Sequence, residues 1–421
     1  MKLTIYSHDT YGLGNIRRML AICEHLLKNI PKISILLISG SPLVHSFRLP
    51  EGLDYIKIPC IGRDGEGQLS AKFLNTSTDE TLKLRSQIIK TAIINFKPDL
   101  LLVDKKPYAL KGELKNALDY LQKYLPETKI VLLLRDILDS PEKTIAEWKE
   151  NKYYQGIEKY YDRIQVVGMQ EIFDLAKEYK FPNHIAKKVK FCGYIRREGG
   201  ILNPALLREE LQIKNDEKIV LVTPGGGADG YKLIDNYLQG IKQNELPKNV
   251  KSIIISGPEM PLEQREELKQ NAANDPKIKI IEFTDDLNSY MEAADLVVAM
   301  GGYNTTCEIL SLNKKAVIIP RVKPVREQWI RAARMAKLGL FKAIHPERLT
   351  PENMMQAILE QLNKKRPPIS NIERIVDLDA LPRITEDISF LLGLDKNSVQ
   401  EKLKNSFQQA KFFPKIEKIS Q

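Results

Sequence analysis

Short apolar runs alternate with amphipathic segments along most of this chain. The runs KLTIY (2–6), ISILLIS (33–39), YIKIPC (55–60), PDLLLVD (98–104), KIVLLLRD (129–136) and RIQVVG (163–168) read as strands. They are almost continuously apolar rather than alternating, which suits strands covered on both faces, as in a parallel sheet. Helical periodicity fills the gaps. NIRRMLAICEHLL (15–27) places Ile16, Met19, Leu20, Cys23, Leu26 and Leu27 on one face, and GELKNALDYLQKYL (112–125) is a second such stretch. The alternation then restarts with KIVLVTPGGG (218–227), VKSIIIS (250–256), IKIIEF (278–283), DLVVAM (295–300) and KAVIIP (315–320). Two βα series in succession predict an α/β protein of two Rossmann-like, doubly wound domains facing across a cleft, 1–195 and 196–364. The join falls in CGYIRREGGILNPALL, where glycines and a proline interrupt the rhythm. Past residue 365 the rhythm stops, and a helical tail (365–421) with helices at RITEDISFLLG and SVQEKLKNSFQQAKFF is expected.

Composition adds bounds rather than detail. A chain of 421 residues exceeds what one hydrophobic core usually covers. With 43% hydrophobic and 28% charged residues it has globular composition, and it has no apolar run of about 18 residues for a membrane span. MKLTIYSH opens as a strand and not as a signal peptide, so a cytoplasmic protein is expected. The four cysteines, Cys23, Cys60, Cys192 and Cys307, sit in apolar contexts without CxxC spacing and read as buried free thiols. The formal net charge is +10, and one cluster, KKVKFCGYIRR, gathers Lys187, Lys188, Lys190, Arg196 and Arg197. It reads either as a solvated face or as an anionic contact, with an anionic membrane surface as the candidate partner. No zinc-finger spacing or RNA-reading motif accompanies it, so nucleic acid is not expected.

In open α/β sheets ligands sit outside the carboxyl ends of the strands. The first strand ends in SHDTYGLGN. Gly12 and Gly14 allow a tight turn, and a helix begins near Asn15 with free N–H groups for an anion. The dinucleotide fingerprint fails, because Arg17 stands where its third glycine would be, and no carboxylate closes the second strand. His8 and Asp9 lie at this strand end, and Asp104 and Asp136 close other strands, so these four are the candidates for proton transfer. In the second series, Gly225, Gly226 and Gly227 let backbone approach a phosphate, without the Lys-Ser/Thr of an ATP-hydrolysing loop. Gly301 and Gly302 end another strand, Asn304 or Thr305 can cap the next helix, and Glu308 lies about one turn in. Glycines for phosphate and a carboxylate for a ribose diol make a nucleotide arrangement.

The stretch DDLNSYMEAADLVVAMGGYNTTCEILSLNKKAVIIPRVKPVREQ resembles the donor-site signature of GT-B glycosyltransferases, family 28 C-terminal type. The resemblance implies a GT-B fold and an inverting transfer of a hexose-type sugar from a nucleotide diphosphate sugar, UDP by analogy, with no metal and no cofactor. The acceptor class, whether glycan, lipid or small molecule, is left open, and a peripheral position on the inner face of the membrane is compatible with it. By the same resemblance Glu308 matches the ribose-binding glutamate, and Glu327 and Gln328 match the pair at the donor sugar or ribose. Backbone at Phe283 and Thr284 would read the base. Gly225–Gly227 would face the diphosphate, and Arg321, Lys323 or Arg326 would neutralise it. Relatives commonly carry Gly-x-Gly-His where this chain has Asn15, which cannot take a proton. The base is then His8, or Asp9, Asp104 or Asp136. A nucleotide-sugar hydrolase and a non-catalytic nucleotide-sugar-binding protein are the alternative readings.

Overall fold

The structure, a computed structural model, describes residues 1–8, 13–63, 68–243, 246–365 and 369–394. The first domain contains strands β1 (Lys2–Ser7), β2 (Ser34–Ser39), β3 (Leu53–Lys57), β4 (Ile61–Arg63), β5 (Leu69–Ala71), β6 (Leu100–Asp104), β7 (Lys129–Arg135), β8 (Arg163–Val167) and β9 (Val189–Phe191). Its helices are α1 (Leu13–Asn29), α2 (Thr78–Phe96), α3 (Lys115–Tyr124), α4 (Pro141–Glu150), α5 (Tyr153–Tyr160), α6 (Leu175–Glu178) and α7 (Asn183–Ala186). The second domain contains α8 (Pro204–Glu210), β10 (Lys218–Thr223), α9 (Tyr231–Gln243), β11 (Val250–Ile255), α10 (Leu262–Ala272), β12 (Ile278–Ile281) and α11 (Leu287–Ala293). It continues with β13 (Leu296–Ala299), α12 (Tyr303–Ser311), β14 (Ala316–Ile318), α13 (Glu327–Lys337), β15 (Lys342–Ala343) and α14 (Pro351–Asn363). Two more helices, α15 (Ile369–Ile375) and α16 (Ala380–Leu391), end the described chain.

The first sheet is parallel throughout, in the order β3-β2-β1-β6-β7-β8-β9. The second is parallel in the order β12-β11-β10-β13-β14-β15. Each is a doubly wound sheet, as the two apolar series predict. The reason for the continuous runs is visible in β1 and β6. Leu3, Ile5, Leu100 and Leu102 pack with Ile16, Met19 and Cys23 of α1 on one face. Tyr6, Leu101 and Val103 pack with Ile89 and Ile93 of α2 and Leu118 of α3 on the other. Both faces of a central strand are dry, so neither face tolerates a polar alternation.

Among the strands that went unread in the sequence are two short pieces. The antiparallel hairpin β4-β5 and the edge strand β9 have three residues per strand, too few to show a period. Strand β9 also lies inside the basic cluster. That cluster is largely committed internally. The Lys188 ammonium donates to the carbonyls of Ile157, Glu158 and Tyr161. Lys190 pairs with Asp387 at 3.0 Å, Arg196 with Glu373 at 3.1 Å, and Arg197 donates to Asn304 at 2.8 Å. A free basic face for membrane phosphates is therefore not what these four residues form.

The tail is also not an appendage to the second domain. Helix α16 returns to the first domain and packs on α1, where Thr385 Oγ1 lies 2.8 Å from His25 Nδ1. Its Asp387, 2% exposed, takes Gln165 at 2.9 Å and the charges of Lys190 and Arg163. The crossing is pinned by a bridge between Ile195 and Asp379. The second helix expected in the tail, SVQEKLKNSFQQAKFF, lies outside the described residues.

Candidate functional site

Each sheet reverses its winding once, and the reversal opens a crevice at the carboxyl ends of two neighbouring strands. In the first sheet the chain runs outward from β1 to β2 and β3, then returns to β6 on the other side of β1. His8 and Asp104 stand at that point. The His8 N–H donates to Asp104 Oδ2 at 3.3 Å, and Asn15 Nδ2 donates to the His8 carbonyl at 2.6 Å. Arg18 Nη2 donates to Asp104 Oδ1 at 2.7 Å and to Asn15 Oδ1 at 3.3 Å. Asn15 thus holds the His8 turn in place, and Asp104 is a buried ion-pair partner of Arg18.

The His8 ring is 2% exposed, and its Nδ1 has no hydrogen-bond partner among the described residues. Burial, then the charges of Lys105, Lys106, Arg85 and Arg135, push its pKa well below the ordinary value, so the imidazole is neutral. Lys105 follows Asp104 with φ of +73°. Its burial, together with Arg135 and Lys106, lowers the ammonium to about 8 against the opposing pull of Asp104 and Glu327. Among the described residues the Lys105 ammonium has no ion-pair partner.

In the second sheet the reversal lies between β10 and β13, where Thr223 is registered with Ala299. Beyond them come Gly225–Gly227 and Gly301–Gly302. Gly227 has φ of +96°, and a Cβ there would meet the Ser256 carbonyl oxygen at 2.3 Å. Gly301 has φ of +76°, with Ile318 Cγ2 2.6 Å from the place of a Cβ. Neither position accepts a side chain. Gly302 is the N-cap of α12, in place of the expected Asn304 or Thr305. The cap needs only an extended backbone, which leaves the first N–H groups of α12 facing the crevice. Arg321 lies beside the glycine loop, 3.4 Å from Asp229. Gln328 Oε1 accepts from the Arg321 N–H at 3.0 Å, while its Nε2 lies 3.9 Å from a Cβ built on Gly302. Glu308 is 1% exposed.

The two crevices meet through α1 and α12. Asn304 Nδ2 donates to the Gly14 carbonyl at 3.0 Å. Arg17 Nη2 lies 3.2 Å from Glu308 Oε1, an ion pair without a directed hydrogen bond. Further out, Arg331 makes a bidentate pair with Asp136, both bonds 2.7 Å, and holds Glu327 at 2.7 Å as well. Tyr194 donates to Asp136 at 3.1 Å. Burial opposes ionisation of Glu327, but Arg135 and Arg331 outweigh it and hold the carboxyl down at about 2. The Arg326 N–H donates to Asp139 at 2.9 Å.

Against known proteins, residues 219–379 match the glycosyltransferase family 28 C-terminal domain. That match takes in most of the second domain and less than half of the chain. Among curated relatives, the chain is similar to the UDP-N-acetylglucosamine–N-acetylmuramyl-(pentapeptide) pyrophosphoryl-undecaprenol N-acetylglucosamine transferase of Clostridioides difficile. They are 25% identical over 188 residues, 44% of this chain and 45% of that one. The chain thus spans about half the length of the curated relatives it matches. Among solved structures, MurG of Acinetobacter baumannii superposes with a TM-score of 0.56 at 14% identity, over 97% of this chain and 99% of that one. The UDP-GlcNAc 2-epimerase of Methanocaldococcus jannaschii does so at 0.60 and 15%, over 93% and 100%. The fold is GT-B.

Within the family 28 domain, the residues expected from sequence fall into two groups. Gly225–Gly227, Gly301, Gly302, Asn304, Thr305, Glu308, Arg321 and Gln328 lie on the loops and helix around the β10/β13 crevice. Glu327 is engaged by Arg331, and the exposed Arg326 side chain and Lys323 stand further out. Phe283, 51% exposed, and Thr284 follow the edge strand β12, where Thr284 Oγ1 accepts from the Asp286 N–H. In the first domain His8, Gly14 and Asn15 converge at the β1/β6 crevice. Asp136, expected as a candidate base, is instead the buried partner of Arg331, because only a cation from the other domain balances it there. Asp104 is likewise held by Arg18. Asp9 and Gly12 lie outside the described residues. Sequence reasoning missed Arg17, Lys105 and Arg331. Lys105 was findable as the residue just past a strand end. Arg331 was not, because its partner is 195 residues away.

Proposed function

We propose that this chain is an inverting glycosyltransferase that moves a hexose-type sugar from a UDP-sugar to a hydroxyl acceptor without a metal. The observation that carries it is the β10/β13 crevice: two glycine turns, a helix N-terminus and Arg321 stand beside a buried carboxylate, Glu308. The N–H groups at Gly302 and the Arg321 charge suit a diphosphate, and Glu308 suits the two hydroxyls of a ribose. A positive environment already in place for the leaving diphosphate does the work a metal would otherwise do. The base is read by the backbone past β12.

The acceptor lies in the β1/β6 crevice. Its oxygen attacks the anomeric carbon as the bond to the diphosphate breaks on the opposite side, and its proton passes to His8. Neutral His8 is in the form that accepts a proton. A donor carrying two phosphates offsets the charges of Lys105, Lys106 and Arg135, which raises the basicity of the imidazole when the site is filled. The Lys105 charge, which has no ion-pair partner among the described residues, favours an acceptor with an anionic group. The named acceptor of the C. difficile relative, a pyrophosphoryl-undecaprenol, has that character and would bring the protein to a membrane surface. A second reading is a nucleotide-sugar hydrolase, favoured by the near-complete burial of the His8 ring, which water reaches more easily than a large acceptor.

The full chain, incubated with UDP-glucose, UDP-galactose or UDP-N-acetylglucosamine, with and without polyprenyl-phosphate acceptors, tests this. Acceptor-dependent release of UDP with a glycosylated product is expected. Release without any acceptor assigns the hydrolase. Intact donor under all conditions, with UDP bound, leaves a binding protein.

A further inference from the structure

Arg17 occupies the place where a dinucleotide-binding turn carries its third glycine, yet it is a long cation pointed across the cleft. Its guanidinium is the one partner of Glu308 among the described residues, at 3.2 Å, and it comes from the opposite domain. Its neighbour Arg18 is fixed by Asp104 and Asn15, whereas Arg17 is 37% exposed and makes no other side-chain hydrogen bond or ion pair among the described residues. A carboxylate that is 1% exposed needs a counter-charge, and Arg17 supplies it. Two ribose hydroxyls donating to Glu308 supply the same stabilisation by hydrogen bonding. They then compete with Arg17 for the same carboxylate.

The freed guanidinium has a second anion within reach. Glu308 and the first residue of α12, Tyr303, are five positions apart, which at ~1.5 Å per residue is roughly 7–8 Å along the helix axis. That is about the span of an arginine side chain. The α1 backbone is held against this end of α12 by the Asn304 to Gly14 hydrogen bond, so the move needs only side-chain rotation. Resting on the assignment of Glu308 to the ribose, we propose that Arg17 is a donor-sensing residue: it caps Glu308, is displaced by the ribose, and moves onto the diphosphate at the N-terminus of α12. Binding the donor then exchanges one interdomain contact for another, and the first domain joins the donor site only when phosphate is present.

The experiment is calorimetric titration of the full chain and of Arg17→Ala with uridine and with UDP. For uridine the wild type gives up its ion pair without compensation, so the variant should bind about threefold or more tightly. For UDP the variant loses a charged contact and should bind about tenfold more weakly. The ratio of UDP to uridine affinity therefore falls by about thirtyfold. Arg17→Lys, which keeps the charge without the fork, should lie between the two and covers the case of a poorly folded Ala variant. Uridine affinity unchanged or weakened in Arg17→Ala overturns the competition, and UDP affinity unchanged overturns the transfer to phosphate. A folded Glu308→Ala that binds uridine as the wild type does refutes the ribose assignment itself, as does a wild type that binds neither ligand.

Discussion

The two crevices are built from the same topology and differ in what lines them. At β10/β13 the lining is backbone: glycine turns, a helix cap at Gly302, and a single buried carboxylate whose partner belongs to the other domain. At β1/β6 it is side chains locked to one another, with Asn15 and Arg18 securing His8 and Asp104, and the Lys105 ammonium without an ion-pair partner among the described residues. A site made of backbone dipoles is formed before any ligand arrives and suits a diphosphate common to many donors. A site made of side chains can be changed residue by residue. On the proposed function, the difference separates a generic donor half from an individual acceptor half.

The largest expected effect lies in the acceptor half. His8→Ala should lower single-turnover rates by about 10²–10⁴-fold, the usual worth of a general base, while UDP binds as before. Wild-type turnover in the variant would make His8 a structural residue of the turn that Asn15 holds. Next comes the bolt between the halves. Arg331→Met removes the cation paired with Asp136 and one of the two at Glu327, which keeps Arg135, and should cost about 3–5 kcal/mol in denaturant unfolding, since a buried carboxylate loses its cation. A loss under 1 kcal/mol would mean that water reaches the pair.

A third expectation concerns acid. His8 is held neutral well below its ordinary pKa, and burial followed by Lys28 lowers His25 to about 4. The unfolded chain takes up protons below about 6.5 where the native chain does not, so stability present above that pH is lost as pH falls toward the native values. Thermal melts at pH 7.5 and 5 should differ, with each imidazole accounting for roughly 1–2 kcal/mol, and His25→Gln should flatten the slope. The interval stays above the acid window of Glu327, which runs from about 4.5 down to about 2. An unchanged slope in His25→Gln would assign the loss elsewhere. The smallest effect separates the halves by charge. Lys105 is cationic below about 8 and neutral above it, so affinity for UDP should fall about two- to fivefold between pH 7 and 9 as one nearby charge disappears. Lys105→Arg, always charged, should abolish that fall; a fall of equal size in the variant would place Lys105 too far from the donor to matter.

Much of this protein was legible without coordinates. Continuous apolar runs separated by amphipathic stretches determined two parallel sheets, because a strand covered on both faces excludes polar alternation over its whole length. Gly225–Gly227, Gly301–Gly302 and Glu308 were visible for a similar reason: turn chemistry and helix position are local, and each half of the β10/β13 crevice is a short continuous stretch after its strand. What only the tertiary structure decided is which charges are free. Asp136 and Asp104 looked as available as His8 until Arg331 and Arg18 were seen against them, and the basic cluster at 187–197 looked like a surface until α16 and Asn304 met it. Arg17 and Glu308 are 291 positions apart. No period or motif spans such distances, because an ion pair depends on where the fold places two side chains and leaves no mark on the residues between them.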